Sequence, residues 1–200
     1  AAGEVGPVSI QEPNGVIDIL VEDEEEATAV ARQYLSYFQG RAVNGWRAHD
    51  QRPLRHIVPE NRRAVYDIRK VIETPADVGT MLEIRPRWAT SMITAFIRIE
   101  GRPLGVIANN SNSASGGAIE AQGADKAARF MQLCDAFDIP MLSLIDTPGN
   151  MVGPEAEKTG LIRHCARMYV AGANISVPYF NVVLRKAYGL GAIAMSAGAF

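Results

Sequence analysis

The sequence is poor in the residues and patterns that mark several functional classes. It has only two cysteines, Cys134 and Cys165, whose separation fits neither a zinc site nor a disulfide framework. The formal net charge is −2, so nothing favours nucleic acid or an anionic membrane surface as a partner. No apolar run approaches the roughly 20 residues that span a bilayer, and no signal-peptide pattern is visible. We therefore expect a reduced, cytoplasmic protein with neither a nucleic-acid nor a membrane partner.

Histidine is also scarce, and the three copies do not indicate a metal site. His49, Asp50 and His56 share one polar stretch, but no further ligand occurs at a helical or turn spacing. His164 stands beside Arg163 on a predicted helix, where a structural pair or an interface contact is the favoured interpretation. We expect no bound metal ion.

The first part of the chain shows one amphipathic helix and a polar connection. An acidic run at residues 22–26 precedes an apolar helical face, and Gly40 marks the end of that helix. Residues 41–60 are polar, contain two prolines and are interpreted as a linker. A short helix is then predicted over residues 61–73, where Thr74 and Pro75 stop it.

From Met92 onward, strand and helix patterns alternate. A period-two pattern, the turn "EGRP" and the segment "LGVIAN" predict a β-hairpin. A helix is predicted from about Asp125, a buried strand at "IPMLSLID", a helix from Thr159 to about Gly172 and a strand at "VPYFNVVLRK". This order predicts an α/β fold with right-handed βαβ units and a largely parallel sheet.

Two glycine-bearing segments, residues 147–160 and 188–193, are expected at the carboxyl edge of that sheet, where ligands bind. Neither carries a His, Cys or Lys placed as a nucleophile or a base, so what they offer is backbone N–H groups. Such donors suit a reaction in which charge grows on a carbonyl oxygen, as in an enolate. The "GLGAIA" stretch also matches a dinucleotide-binding turn. That alternative is weaker, because the strand comes late and residues 185–188 intervene.

Longer motifs resemble one family. The segments "GADKAARFMQLCDAFDIPMLSLIDTPGNMVGPEAEKTGLIRH" and "RKAYGLGAIAM" are similar to the carboxyltransferase subunit of biotin-dependent acyl-CoA carboxylases, of the propionyl-CoA and acetyl-CoA type. The similarity extends through "GRPLGVIANN" back to "YLSYFQG". The resemblance implies two crotonase-like ββα-spiral domains. Residues 1–40 are then the tail of the N-terminal acyl-CoA domain, 41–60 a linker, and 61–200 the first part of the C-terminal, biotin-side domain. We accordingly expect the chain to be a fragment.

The resemblance also implies a mechanism. Carboxybiotin on a separate carrier domain releases CO2, the biotin nitrogen deprotonates the α-carbon of the acyl-CoA thioester, and the enolate attacks CO2. Two oxygens gain charge, and a pair of backbone N–H donors serves each. Aligned on "RKAYG", the donors of this domain are Leu190 and Gly191, while alignment on general crotonase glycines gives Gly191 and Ala192. The first alignment is preferred. The expected biotin pocket consists of Pro148, Gly149, Gly189 and Ala192, and Ile193 is expected to contact the acyl tail.

The implied partners are acyl-CoA, the biotin carboxylase and biotin carboxyl carrier components, and further copies of the chain, as a hexamer. Many relatives read Gly-Gly-Ala where this sequence reads Gly189-Leu190-Gly191-Ala192, but a backbone donor survives a leucine side chain. Two alternatives remain. A crotonase-superfamily hydratase or isomerase needs an acid–base group after the turn, and "GAIAMSAGAF" has none. A non-catalytic assembly subunit would keep the fold without the chemistry. The acyl-chain length is left open.

Overall fold

A computed structural model describes residues 5–198. The first part of the chain is helical, with a short 3-10 turn after the second helix. These elements are α1 (Val8–Gln11), α2 (Glu24–Ser36), the 3-10 turn (Tyr37–Gln39), α3 (Leu54–Ile57) and α4 (Ile68–Glu73). The remainder alternates strands and helices: β1 (Leu82–Glu83), β2 (Met92–Ile99), β3 (Arg102–Asn109), α5 (Ala121–Ala136), β4 (Met141–Thr147), α6 (Pro154–Lys158), α7 (Leu161–Asn174), β5 (Tyr179–Ala187) and α8 (Gly189–Met195).

The five strands form one mixed sheet in the order β1-β2-β3-β4-β5. β1, β2 and β3 pair antiparallel, and the β2–β3 hairpin places Ile99 opposite Arg102 across the predicted turn. β3, β4 and β5 are parallel, joined by α5 and by α6 with α7. The predicted hairpin, βαβ units and α/β class are confirmed.

Apolar side chains cover both faces of the sheet. One cluster lies under α5 and α7 and includes Phe96, Phe130 and Met168, and the other lies under α4 and includes Ile72 and Ile97. Alternating residues of β2 enter opposite clusters, so nearly the whole strand is buried. Cys134 is fully buried in the first cluster, which confirms its prediction as a core residue.

β5 differs from the other strands because it is the last in the sheet order and is largely exposed. Phe180, Val182 and Val183 keep 56%, 43% and 48% of their surface accessible. The strand therefore presents apolar side chains as well as a free edge to solvent.

Helix α2 begins and ends as the sequence predicts. The Asp23 side chain accepts a hydrogen bond from the Glu26 N–H at 2.8 Å, which caps the helix, and Gly40 takes a positive φ of 78° after the 3-10 turn. No helix among residues 5–198 is long and apolar enough to cross a membrane.

Four details of the helices differ from the sequence prediction. The helix predicted over residues 61–73 covers only Ile68–Glu73, because Asp67 caps it by accepting from the Arg69 N–H at 3.0 Å. α5 begins at Ala121, ahead of Asp125, and a separate helix, α6, precedes α7. The glycines of residues 189–191 belong to the first turn of α8 itself.

Candidate functional site

The segments after β4 and β5 meet backbone to backbone at the carboxyl edge of the sheet. The Tyr188 N–H donates to the Thr147 carbonyl oxygen at 3.2 Å, which ties the two strand ends together. A Cβ built on Gly191 would lie 2.8 Å from the Gly149 Cα and 3.0 Å from the Asn150 N. A glycine at 191 is therefore what lets the two segments approach this closely.

Three backbone N–H groups in the first turn of α8 are available as donors. Within residues 5–198, the Gly189, Leu190 and Gly191 N–H groups find no hydrogen-bond acceptor, whereas the Ala192 N–H donates to the Tyr188 carbonyl oxygen at 3.3 Å. The first N–H groups of a helix lack partners inside the helix. Both donors of the preferred alignment, Leu190 and Gly191, are therefore open, and Ala192 is already engaged.

Hydrogen bonds hold the segment after β4 in one conformation. The Gly149 N–H donates to the Thr147 Oγ1 at 3.1 Å, and the Gly149 carbonyl oxygen accepts from the Ile119 N–H at 3.0 Å. The Met151 N–H donates to the Ile119 carbonyl oxygen at 2.9 Å. Gly149 has a φ of 119°, which residues with a side chain rarely adopt. Residues 147–151, which form one wall of the site, are thus held in place without a ligand.

Residues 188–193, which form the opposite wall, are also held by a hydrogen bond. Tyr169 of α7 donates its hydroxyl proton to the Leu190 carbonyl oxygen at 2.6 Å. Burial raises the pKa of the Tyr169 hydroxyl, so it remains a donor at neutral pH. Asn150 adds a side-chain amide oxygen that is buried and has no hydrogen-bond partner among the described residues.

All seven residues that the sequence assigned to the site lie on these two segments, and the structure brings the segments into contact. They differ in exposure. Gly149, Gly191 and Ala192 are buried, Ile193 is half-buried, and Pro148, Gly189 and Leu190 are exposed. The side chain of Leu190 points away from the packed backbone, because the residue keeps 62% of its surface accessible.

Sequence reasoning missed a charged cluster directly beneath the site. Asp146 is fully buried, and its Oδ2 lies 2.9 Å from the Arg185 Nη2 and from the Tyr66 hydroxyl, which donates to it. Burial, and then the Asp146 charge, raises the pKa of Tyr66. One signal in the sequence could have indicated this cluster. Asp146 ends a continuously apolar strand, and a buried carboxylate needs a cationic or hydrogen-bonding partner.

His164 contacts both Asp125 and its neighbour Arg163, whose Nη2 lies 3.5 Å from the His164 Nε2. Its Nδ1 lies 2.7 Å from the Asp125 Oδ2, and Arg167 donates to the other carboxylate oxygen at 2.7 Å. The pair borders a cavity of about 790 Å³ whose other wall is residues 151–156. In the described part of the chain, no three His, Cys, Asp or Glu side chains converge to hold a metal ion.

The chain is similar in sequence to known carboxyltransferases. The model of the Carboxyl transferase domain family matches residues 3–200. The chain is 39% identical over 191 residues to the methylmalonyl-CoA carboxyltransferase 12S subunit of Propionibacterium freudenreichii subsp. shermanii, covering 91% of this chain and 36% of that one. It is 36% identical over 194 residues to the propionyl-CoA carboxylase beta chain of Roseobacter denitrificans, covering 92% and 37%. The chain therefore spans less than two fifths of the length of these relatives.

Solved structures agree. A single-chain, multi-domain long-chain acyl-CoA carboxylase superposes on the whole chain with a TM-score of 0.96 and 48% identity, over 20% of its own length. The hexameric transcarboxylase 12S, solved with hydrolysed methylmalonyl-CoA bound, matches 98% of the chain with a TM-score of 0.89 and 37% identity, over 39% of its length. The predicted crotonase-like α/β fold is confirmed, and the chain belongs to the Carboxyl transferase domain family.

Proposed function

We propose that this chain is the biotin-side part of a carboxyltransferase that moves a carboxyl group from carboxybiotin to the α-carbon of an acyl-CoA thioester. The observation that carries the proposal is the pair of unengaged N–H groups on Leu190 and Gly191, at the contact with Gly149. Neither segment supplies an acid–base side chain beside them. The chemistry best served is stabilisation of charge on an oxygen.

Biotin, when bound in its carboxylated form, supplies the CO2 and the nitrogen that accepts the α-proton. The part that falls to this chain is to donate the Leu190 and Gly191 N–H groups to the biotin ureido oxygen. Because the Gly149 contact and the Tyr169 hydroxyl hold both walls, the donors need no rearrangement during the reaction. One such donor typically contributes about 10²–10³ in kcat.

The remaining assignments are drawn from the family resemblance. Pro148, Gly149, Gly189 and Ala192 are proposed to line the biotin pocket, since they lie on the two segments that meet at the donors. Half-buried Ile193 is proposed to contact the acyl tail. This role is tested by the ratio of kcat/KM values for acetyl-CoA, propionyl-CoA and longer substrates in Ile193→Asp. An unchanged ratio in a folded variant removes it.

Partners are proposed from the relatives. The similarity to a propionyl-CoA carboxylase beta chain supports biotin carboxylase and a biotinylated carrier as partner components. The hexameric transcarboxylase 12S supports a homohexamer of the complete protein. The thioester oxygen is proposed to bind in the acyl-CoA domain. The cytoplasmic location and the division at residues 40 and 60 stay predictions.

The decisive experiment substitutes Leu190. Because the Leu190 side chain is exposed and the residue lies in the first turn of α8, proline removes the N–H at little steric cost, while Leu190→Ala keeps it. Carboxyl transfer is measured in the complete protein with biotinylated carrier, biotin carboxylase and radiolabelled bicarbonate. We expect Leu190→Pro to lose about 10²–10³ in kcat and Leu190→Ala to stay within a few-fold of the parent.

Carboxylation of the carrier itself should be unchanged in both variants and serves as the control reaction. A folded Leu190→Pro protein that transfers carboxyl groups at the parental rate would refute the proposal. Gly191 offers no comparable control, because an alanine Cβ there would lie 2.8 Å from the Gly149 Cα and force the segment to move.

The alternative functions are less well supported. α8 spans "GLGAIAM" and carries no acid–base side chain for a hydratase or isomerase. A dinucleotide turn follows the first strand of a βαβ unit, whereas the turn at residues 188–193 follows β5, the last strand in the order of the described sheet. A non-catalytic assembly subunit is distinguished by the transfer assay, in which it would show no activity.

A further inference from the structure

Just before the two donors, β4 and β5 lose their regular register. Ile145 pairs with Val183, but Thr147 pairs with Ala187, so residues 184–186 of β5 face Asp146 alone. Two extra residues on one strand form a bulge, which bends the strand and redirects the chain beyond it. The chain beyond this bulge is Tyr188 and the turn that carries the donors.

The side chain of Asp146 replaces the missing strand partner. Its Oδ1 accepts from the Lys186 N–H at 3.2 Å. Its Oδ2 accepts from the Arg185 Nε at 3.1 Å, from the Arg185 Nη2 at 2.9 Å and from the Tyr66 hydroxyl at 2.9 Å. The carboxylate thereby fixes both the backbone and the side chains of the bulge.

Arg185 extends the network to a distant segment. It donates to the carbonyl oxygens of Ala64 at 2.6 Å and Asn61 at 3.2 Å, and its guanidinium lies 4.6 Å from the centroid of the Tyr66 ring. Its side chain is only 5% exposed. Residues 61–66, which the sequence predicted as helix, form a turn that contacts the bulge.

The carboxyl end of β3 joins the same cluster. The Asp146 N–H donates to the Asn109 Oδ1 at 3.2 Å, and the Lys186 Nζ donates to the Gly116 carbonyl oxygen at 3.2 Å. A Cβ on Gly117 would lie 2.6 Å from the Asp146 carbonyl oxygen. Hydrogen bonds and close contacts therefore join the carboxyl ends of all three parallel strands at Asp146. The next residue, Thr147, begins the segment after β4, and its carbonyl oxygen accepts from Tyr188, which begins the segment after β5.

We propose that Asp146 and Arg185 are positioning residues for carboxyl transfer, which set the distance between the Leu190 and Gly191 N–H groups and residues 147–150. The inference rests on the proposed function, because it concerns the same donors. Asp146 is fully buried and acts through the backbone that it holds. A buried ion pair generally adds little net stability over apolar residues. We therefore infer that the Asp146–Arg185 pair serves to position the backbone that carries the donors.

The first test is Asp146→Asn, which preserves the shape of the side chain but removes its charge. We expect kcat for carboxyl transfer to fall at least tenfold, since misplacement of a donor by about 1 Å is costly. KM for acyl-CoA should stay within twofold, because the thioester oxygen is proposed to bind in the acyl-CoA domain. Arg185→Lys should retain more activity than Arg185→Met. The matched control is Asp135→Asn at the other end of β5, which should leave kcat unchanged.

A double-mutant cycle with Leu190→Pro separates this inference from the proposed function. If Asp146 acts through the donors, Leu190→Pro should cost at least tenfold less in the Asp146→Asn background than in the parent. Independent, multiplicative effects would overturn the positioning role and leave the proposed function intact. A folded Leu190→Pro protein with parental activity would overturn both. If Asp146→Asn does not fold, Tyr66→Phe removes one hydrogen bond to the same carboxylate and takes its place in the same cycle.

Discussion

The two ends of β5 are held by the same chemical group in different surroundings. At the amino end, Asp135 accepts from the Ser176 N–H at 2.7 Å, from the Ser176 hydroxyl at 2.9 Å and from the Val177 N–H at 3.3 Å. At the carboxyl end, Asp146 accepts from a backbone N–H as well, but also from Arg185 and Tyr66. Asp135 is partly exposed, and Asp146 is not exposed at all.

The difference is a matter of solvation. Water and backbone dipoles suffice for the Asp135 charge, and its hydrogen bonds to Ser176 lower the pKa of its carboxyl group. The Asp146 charge is out of reach of water and therefore requires a cation. The amino end thus needs only a strand cap, whereas the carboxyl end is built around one inflexible cluster. Substitutions at the two ends should accordingly have unequal effects.

The largest effect on stability is expected from Arg185→Met, which leaves the Asp146 carboxylate buried without its cation. Breaking a buried ion pair in this way costs about 3–5 kcal/mol. Arg167→Met is the control, because Arg167 also lies 2.7 Å from a carboxylate, Asp125, but its side chain is 57% exposed. An exposed pair contributes about 0–1 kcal/mol. Equal shifts in the thermal midpoint of the complete protein would contradict the comparison.

Gly117→Ala tests how tightly the carboxyl end is packed. Gly117 has a φ of 87°, and its Cβ would collide with the Asp146 carbonyl oxygen, so we expect a loss of about 3 kcal/mol. The neighbouring Gly116 also has a positive φ, 61°, but open space around its Cβ. Gly116→Ala should cost only the backbone strain, about 1 kcal/mol. Thermal unfolding of the two variants side by side checks this, and the same loss in both would show that packing against Asp146 is loose.

Lys126 provides a buried charge of the opposite sign. Its Nζ donates to the carbonyl oxygens of Arg85 and Trp88, each at 2.8 Å, and burial lowers its pKa from 10.5 to about 8. Between these two values the unfolded chain binds more protons than the folded one, so this group makes stability rise with pH. The free energy of unfolding of the parent minus that of Lys126→Met should increase from pH 8 to 10.5, by at most about 3 kcal/mol. A flat difference would mean that the carbonyl oxygens keep the lysine charged.

The smallest effect is expected at the amino end of β5. Asp135→Asn keeps one oxygen to accept from Ser176 and should cost about 1 kcal/mol, as for the loss of a helix cap. Because the pKa of Asp135 is lowered in the folded state, its contribution is present at neutral pH and is lost as the pH falls below about 4. The parent and the variant should therefore converge in thermal midpoint in acid. A loss as large as that of Arg185→Met would erase the distinction between the two ends.

The sequence predicted the parts of the fold that local patterns encode. Period-two alternation located the β2–β3 hairpin, an acidic first turn and Gly40 bounded α2, and the glycines at 189 and 191 indicated the turn that begins α8. Each of these signals depends on residues close together in the chain. For the same reason, the resemblance could supply residue roles but not the contact between Gly191 and Gly149, which lie beyond the ends of different strands.

The features that the sequence did not predict depend on long-range partners. The bulge in β5 could not be predicted from the sequence. The segment "VPYFNVVLRK" has no alternation of apolar and polar residues from which a register shift could be detected. Asp146 and Arg185 are 39 positions apart, and nothing local pairs them. The segment 61–66 was predicted as helix because its composition permits one, but its carbonyl oxygens are committed to Arg185.

The exposed edge of β5 connects the candidate site with the tendency of the chain to aggregate. A strand with free N–H and C=O groups and with Phe180, Val182 and Val183 at its surface is a template for edge-to-edge association. Arg185, one of the two residues proposed to position the donors, is part of that same strand. A purification of these 200 residues alone should accordingly yield oligomers of variable size, and any neighbour that adds to β5 would suppress aggregation and clamp the donors in a single step.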